Sequence, residues 1–212
     1  MKGTKKKILA TALDLFNEKG LSRVTLRTIA QKMEISQGNL NYHFKKRDEI
    51  IENLYFDLVK NIDFRLSKSQ NEAISLKLLL GLSASIMDSF YEYRFFLLDF
   101  VQIMRENKVI KAHYLELSKI REAQFSVLFN ALIKKGILRK EILPNEYAFL
   151  YKRFQILGDF WISSAQVVNS RISKNMISEY ATIINQSIYP YLTTKGKTTY
   201  LLLTNSVHNK KD

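Results

Sequence analysis

The fold of this chain is decided by residues 25–44, which read TLRTIAQKMEISQGNLNYHF. The first half of this stretch repeats apolar residues at the i, i+3, i+4, i+7 spacing of a helix face, namely Leu26, Ile29, Ala30 and Met33. Thr25 and Ser36 each precede a helical run, and their hydroxyl oxygens suit the N-cap of a helix. The stretch therefore predicts two short helices separated by a break of about four residues, which is a helix-turn-helix.

A helix over residues 5–19 is predicted to support this motif. It places Ile8, Ala12, Leu15 and Phe16 on one face, and Gly20 follows where helices often end in a left-handed residue. Five apolar side chains should form the small core of the three helices, namely Phe16, Ile29, Ala30, Leu40 and Phe44. The opposite face of the last helix is then free to meet a partner.

That free face carries amides beside basic and hydroxyl groups. Gln37, Asn39 and Asn41 each hold a donor and an acceptor on one planar group, which matches the edge of adenine in the DNA major groove. Gly38 lets the backbone approach DNA closely. The surrounding groups that can reach phosphates are Tyr42, His43, Lys45 and Arg47.

Composition and charge agree with a nucleic-acid partner. The chain of 212 residues has 33 Lys and Arg against 20 Asp and Glu, a net charge of +13, and residues 1–50 hold 11 of the basic and 5 of the acidic residues. Such an excess favours a polyanion, either nucleic acid or an anionic lipid surface. The absence of Cys excludes disulfides, thiolate metal sites and a thiol nucleophile.

The remaining sequence predicts helices almost throughout, over 48–66, 74–92, 94–106, 108–135, 145–169 and 174–192. The expected fold is all-α, with about nine helices: an N-terminal helix-turn-helix domain over 1–47 and a C-terminal helical bundle over 48–192. Residues 193–212 are expected to form a loose basic tail, in which Tyr200–Leu203 is the part expected to dock.

Residues 25–30, 35–45 and 47–51 resemble the tetracycline-repressor (TetR) family of bacterial regulators, through the elements T-x-R-x-I-A and Y-H-F-K in order. The resemblance covers about the first 55 residues and implies an all-α homodimer that binds a palindromic operator on double-stranded DNA. It implies DNA contacts at Thr25, Arg27, Ser36, Gln37, Gly38, Asn39, Asn41, Tyr42, His43, Lys45 and Arg47. Two positions depart from the family pattern: Glu34 stands where Gly is usual, and Asn41 replaces a common Tyr.

Two later helices carry apolar stripes that the resemblance assigns to a four-helix dimer interface. The interface expected on this basis consists of Phe154, Leu157, Trp161, Ala165, Ile177, Ile184 and Ile188. Amphipathic stripes most often face the core of their own protomer, and this alternative stays open from the sequence alone.

The resemblance also implies an effector cavity among the fourth to eighth helices. The aromatic and Met-rich segment 76–130 offers Met87, Phe90, Tyr91, Met104, Tyr114 and Phe125 as its lining, although large apolar residues are mostly core. His113 and Glu116 lie three apart with no third ligand, so no metal site is expected. No cofactor is expected either.

The leading hypothesis is therefore a cytoplasmic, homodimeric transcriptional repressor controlled by a small, mostly apolar effector. A second hypothesis keeps the helical body as a small-molecule or lipid-binding protein on anionic membranes, and a third is an undetected helical enzyme. The enzyme reading is disfavoured because the sequence has no phosphate-binding Gly-rich loop, nucleophile elbow or H-E-x-x-H motif. The apolar runs are too short to span a bilayer.

Overall fold

The computed structural model describes residues 2–68, 73–169 and 171–208, and within them it contains helices and no strand. The eleven α-helices are α1 (Lys2–Lys19), α2 (Leu26–Lys32), α3 (Gln37–His43), α4 (Arg47–Lys68), α5 (Leu76–Glu92), α6 (Arg94–Leu98), α7 (Phe100–Glu106), α8 (Lys108–Lys134), α9 (Glu146–Val168), α10 (Asn175–Gln186) and α11 (Thr194–His208). Short 3₁₀ turns lie at Leu21–Arg23 and Tyr189–Tyr191. The all-α prediction is confirmed.

The predicted helix over 94–106 is interrupted at Asp99, which ends α6 and precedes α7. Its backbone lies at φ −104° and ψ 18°, outside the helical region. The carboxylate of Asp99 accepts a hydrogen bond from the backbone N–H of Leu21 at 3.4 Å. This contact with the turn after α1 is invisible in local periodicity, so the sequence predicted one continuous helix.

The expected loose tail is also different in the structure, because Thr194–His208 forms a helix. Thr193 caps it by accepting a hydrogen bond from the N–H of Gly196 at 3.0 Å. A Cβ atom on Gly196 would collide with the carbonyl oxygen of Ile137, so glycine permits the close approach there. Tyr200 is buried, as predicted for the docking segment, whereas Leu201 and Leu202 are exposed.

The chain divides into two compact units. The first combines Met1–Asp63 with Ser89–Tyr114, so the unit that holds the helix-turn-helix extends beyond residue 47 and includes α6 and α7. The predicted small core is confirmed, since Phe16, Ile29, Ala30, Leu40 and Phe44 are all buried. Phe16 stacks on Phe95 of α6 with ring centroids 5.1 Å apart.

The second unit combines Phe64–Asp88 with Leu115–Asp212. Its apolar cluster includes Leu76, Leu79, Leu128, Phe129, Leu132, Leu138, Tyr147, Leu150, Ile188 and Tyr200. A bidentate ion pair fixes the start of α9, because the two terminal guanidinium nitrogens of Arg139 each donate to the carboxylate of Glu146 at 2.7 Å. This pair and the N–H of Ile142 lower the pKa of Glu146 to about 2.

Candidate nucleic-acid interface

Two capped helices build the helix-turn-helix. The Thr25 hydroxyl oxygen accepts from the Thr28 N–H at 3.2 Å, and the Thr28 hydroxyl oxygen accepts from the Thr25 N–H at 2.9 Å, which is a reciprocal capping box. The Ser36 hydroxyl oxygen accepts from the Asn39 N–H at 3.1 Å at the start of α3. Both predicted caps are confirmed, and they fix where each helix begins.

The turn between the helices contains a left-handed residue that is not glycine. Glu34 has φ 57°, and the N–H of the next residue, Ile35, returns to the carbonyl of Ala30 at 3.1 Å. A side chain at such a backbone angle costs about 1–2 kcal/mol relative to a right-handed conformation. The expected strain at this departure from the family pattern is therefore present, and Glu34 is exposed beside α3.

Helix α3 has one buried side and one open side. Leu40 and Phe44 are 0% and 1% exposed, so they anchor the helix in the core of its unit. Gln37, Gly38 and Asn39 are exposed. The first turn of α3 thus offers two amides and a bare backbone position to a partner, and the caps and core hold it rigidly.

Asn41 does not share this open position. Its side chain is half-buried, and among the described residues its Oδ1 atom is covered without a hydrogen-bond partner. The first turn therefore carries the open amide pair, while Asn41 must turn outward before its amide can meet a base.

The residues beside α3 mostly present their polar groups outward. Thr25, Arg27, Ser36 and Lys45 are exposed, and Tyr42 is 66% exposed. The half-buried His43 ring meets the Tyr42 ring edge-on, with centroids 5.3 Å apart. These groups surround the open turn of α3 with the donors that phosphate oxygens require.

Arg47 is placed differently from the other basic residues in the predicted set. One guanidinium nitrogen donates to the backbone carbonyls of Leu21, at 3.1 Å, and Val24, at 3.4 Å. The same guanidinium favours the charged form of Asp99, whose pKa is nevertheless raised because burial outweighs the N–H of Leu21 and Arg47. Arg47 therefore ties the start of α4 to the turn after α1.

The six residues predicted to line an effector cavity fall in both units. Phe90, Tyr91, Met104 and Tyr114 belong to the first unit and are half-buried. In the second unit Met87 is fully buried, and the half-buried Phe125 packs its ring against Phe129, Tyr151 and Phe154. Each of these side chains takes part in apolar packing or is shielded from water, which fits either a core or a cavity lining.

Five of the seven residues predicted for a dimer interface are buried within their own unit. Trp161, Ala165, Ile177, Ile184 and Ile188 are buried within the second unit, and Phe154 and Leu157 are half-buried. This matches the alternative in which the stripe faces its own core. A different apolar stripe on α9 is exposed, and it consists of Phe149, Ile156, Phe160 and Val167.

The spacing of the four exposed residues in the sequence could have indicated this stripe. Its members are separated by seven, four and seven residues, which keeps them on one helix face. Because α9 is apolar on two sides, periodicity alone does not say which side faces inward. Only packing against the rest of the unit distinguishes them.

Within the described residues no helix is both long enough and apolar enough to cross a membrane. The same part of the chain brings no three His, Cys, Asp or Glu side chains together as metal ligands.

Two family models match the chain. The model described as bacterial regulatory proteins of the tetR family matches residues 8–54, and the TetR model described as a bacterial transcriptional repressor matches residues 58–200. Together they include the helix-turn-helix and most of the helical body.

Similar individual proteins are regulators as well. The probable HTH-type transcriptional regulator YttP of Bacillus subtilis (strain 168) is 37% identical over 51 residues, which are 24% of this chain and 25% of YttP. The biofilm operon icaADBC HTH-type negative transcriptional regulator IcaR of Staphylococcus aureus (strain Newman) is 36% identical over 73 residues, which are 33% of this chain and 39% of IcaR. The match thus spans two-fifths or less of these relatives.

A solved structure of a TetR-family transcriptional regulator from Marinobacter aquaeolei VT8 has the same fold. It superposes with a TM-score of 0.85 over 96% of this chain and 98% of that chain, at 24% sequence identity. At that identity the likeness concerns the fold.

Proposed function

The chain belongs to the TetR family of bacterial transcriptional regulators, and on that premise we propose that it is a homodimeric repressor that binds a palindromic DNA operator and releases it when a small effector binds. The observation that carries the proposal is α3, where Gln37 and Asn39 are exposed while Leu40 and Phe44 are buried. Repression is favoured by the family description and by the negative regulator IcaR among similar proteins.

The proposed DNA contacts follow from exposure. Gln37 and Asn39 read base edges in the major groove, and Gly38 permits close approach of the backbone. Phosphates are held by Thr25, Arg27, Ser36, Tyr42, His43 and Lys45, which fix position without reading sequence. Asn41 joins the base-facing set only after its half-buried amide turns outward.

Arg47 is proposed to act as a positioning residue. Its guanidinium donates to Leu21 and Val24 carbonyls, so it orients the turn after α1 and the first turn of α4. A phosphate contact, which the resemblance suggested, would compete with these hydrogen bonds.

The proposed dimer interface is the exposed apolar face of α9: Phe149, Ile156, Phe160 and Val167. Four large apolar side chains along one helix form the kind of contiguous exposed surface that marks an interface. A two-fold axis would repeat this face on the partner and place two recognition helices on successive major grooves, about 34–36 Å apart.

Effector control requires differential affinity. A ligand releases DNA only if it binds the non-DNA-fitting state of the dimer more tightly than the DNA-fitting one. The site proposed for it lies in the helical body, and the protein is proposed to act in the cytoplasm. Membrane binding by the basic residues is not favoured, because both family models describe regulators.

The direct test is selection of bound duplexes from a random DNA pool. The expected result is an inverted repeat whose half-sites are centred about 10–10.5 base pairs apart, or a multiple of that spacing. Enrichment of no sequence over the starting pool would contradict operator binding, and enrichment of a single unrepeated half-site would contradict the dimer.

A further inference from the structure

Trp161 on α9 lies inside the second unit, and the polar atom of its indole ring is buried there. Its side chain is only 2% exposed, and its ring meets that of Tyr180 on α10 with centroids 5.1 Å apart and planes tilted by 42°. An indole carries a single polar atom, the Nε1–H, which donates and cannot accept a hydrogen bond. The surroundings of Nε1 therefore decide whether the hydrogen-bonding capacity of the indole is used.

The Nε1–H of Trp161 is covered by protein and has no hydrogen-bond partner among the described residues. Roughly nine in ten buried polar groups in proteins are paired, so an unpaired donor at such depth calls for a specific explanation. The same atom on the surface would be satisfied by water at no cost. Here it has lost water and gained no acceptor.

Tyr180, whose ring contacts Trp161, carries a hydroxyl oxygen, but this oxygen is not a hydrogen-bond partner of Nε1. The other buried residues in the second half of α9 and in α10 are all aliphatic, namely Ile162, Ala165, Ile177, Ala181 and Ile184. A bridging water needs two to four polar partners, and these side chains offer none. A ligand that brings its own acceptor would complete the hydrogen bond within an apolar surrounding.

We propose that Trp161 is the hydrogen-bonding anchor of the effector site, and that the effector is a small, flat, apolar molecule with a neutral acceptor oxygen such as a ketone or ester carbonyl. This inference rests on the proposed function and specifies the ligand class. The acceptor is neutral because the buried charged or polar side chains among the described residues are Ser89 and Glu146, and Glu146 is paired with Arg139. A buried carboxylate on the ligand would find no cation.

The position of Trp161 also links ligand binding to the dimer. Its neighbour in sequence, Phe160, belongs to the exposed apolar face of α9, while Trp161 points into the unit. A ligand held by Trp161 therefore contacts the helix that carries the proposed interface. Effector control then requires that the ligand accept this hydrogen bond more favourably in the state of the dimer that does not fit DNA than in the state that does.

A matched pair of probes tests the anchor. Acetophenone and ethylbenzene share a ring and a two-carbon substituent, and they differ in the carbonyl oxygen. Trp161 is the one tryptophan of the chain, so its indole N–H gives a single signal in an NMR spectrum of the uniformly ¹⁵N-labelled protein. Acetophenone should shift this indole proton downfield and saturably, and should bind about tenfold more tightly than ethylbenzene by calorimetry.

Two variants separate the hydrogen bond from the packing. Trp161→Phe keeps an aromatic ring and removes the donor, so the affinity ratio of the two probes should fall to about 1. Tyr180→Phe keeps the Trp161 donor and the ring contact, so the tenfold ratio should persist. An unmoved indole signal, equal affinities in the wild-type protein or an undiminished ratio in Trp161→Phe would each overturn the proposal.

The indole signal of the wild-type protein keeps the test decisive even if Trp161→Phe folds poorly. Operator binding without any probe is measured separately on the same preparation. Loss of operator binding alone defeats the proposed repressor function, whereas normal operator binding with an unmoved indole signal defeats the Trp161 anchor alone.

Discussion

Arg47 donates a hydrogen bond from its guanidinium to the backbone carbonyl of Leu21 at 3.1 Å. A basic residue of the predicted DNA-contact set therefore holds the backbone of its own unit. Lys45, two residues earlier, is exposed, and its backbone N–H donates to the Glu49 carboxylate at 2.9 Å. The two residues carry the same charge, but their different surroundings should make them respond differently to mutation.

Arg47→Gln should lower the free energy of unfolding by about 1 kcal/mol, because the Leu21 and Val24 carbonyls lose a charged donor. The salt dependence of operator binding should keep its slope, since no phosphate contact is lost. Denaturant unfolding and binding titrations at several salt concentrations measure the two quantities.

Lys45→Gln is the matched comparison. It should leave stability unchanged and reduce the slope of log affinity against log salt concentration by about 0.9, as expected for one lost phosphate contact. If Arg47→Gln reduced the slope by the same amount, Arg47 would be a phosphate contact and the positioning role would be wrong.

Glu34→Gly should raise the free energy of unfolding by about 0.5–1 kcal/mol. The left-handed angle of 57° strains any residue with a Cβ, and glycine removes that strain at a smaller entropic cost. Gln31→Gly, on the exposed side of α2, is the control and should be destabilising by about 1 kcal/mol. Equal destabilisation by both changes would show that the turn is not strained at Glu34.

Ile156→Asp should dissociate the dimer without unfolding the protomer. Ile156 is 53% exposed on α9, and a carboxylate there would be buried against the partner. Each dimer would lose the apolar burial of two Ile side chains, which should raise the dissociation constant at least about 100-fold. Analytical ultracentrifugation measures this constant. Val127→Asp, at a 64% exposed position on α8, is the control and should leave the dimer intact. Dissociation by both variants, or by neither, would contradict the α9 interface.

Low pH should reduce the free energy of unfolding of the second unit by protonating Glu146. Arg139 and the N–H of Ile142 lower the pKa of this carboxyl from 4.5 to about 2. A lowered pKa in the folded state stabilises the protein above the unfolded pKa, and this stabilisation is lost as pH falls from about 4.5 towards 2. Denaturant unfolding across this range should therefore show a steeper loss for the wild-type protein than for Glu146→Gln. Parallel curves would mean that the pair contributes nothing.

The helix-turn-helix was predictable because its signals are local. Caps at Thr25 and Ser36, apolar spacing in α2, and the anchors Leu40 and Phe44 all lie within 20 residues. Each of these features is present in the structure at the predicted position. Local hydrogen bonds and helical periodicity determine such a motif, so one sequence suffices.

Features that depend on distant contacts were not predictable in the same way. At the break, Asp99 accepts a hydrogen bond from the backbone N–H of Leu21, which lies 78 positions earlier. The commitment of Arg47 to backbone carbonyls also requires the turn after α1 to be in place. On α9, both faces are apolar, and the choice of Trp161 as interior and Phe160 as exterior is made by tertiary packing.

The central claim is that the exposed amides at the start of α3 read DNA bases. Fluorescence anisotropy with a selected operator and a scrambled duplex of equal length tests it on the wild-type protein and Asn39→Ala. The variant should bind the operator about 5–150-fold more weakly, as expected for one lost amide–adenine pair, and should bind the scrambled duplex with unchanged affinity. Equal weakening on both duplexes, or an unchanged preference for the operator, would contradict base reading by this helix.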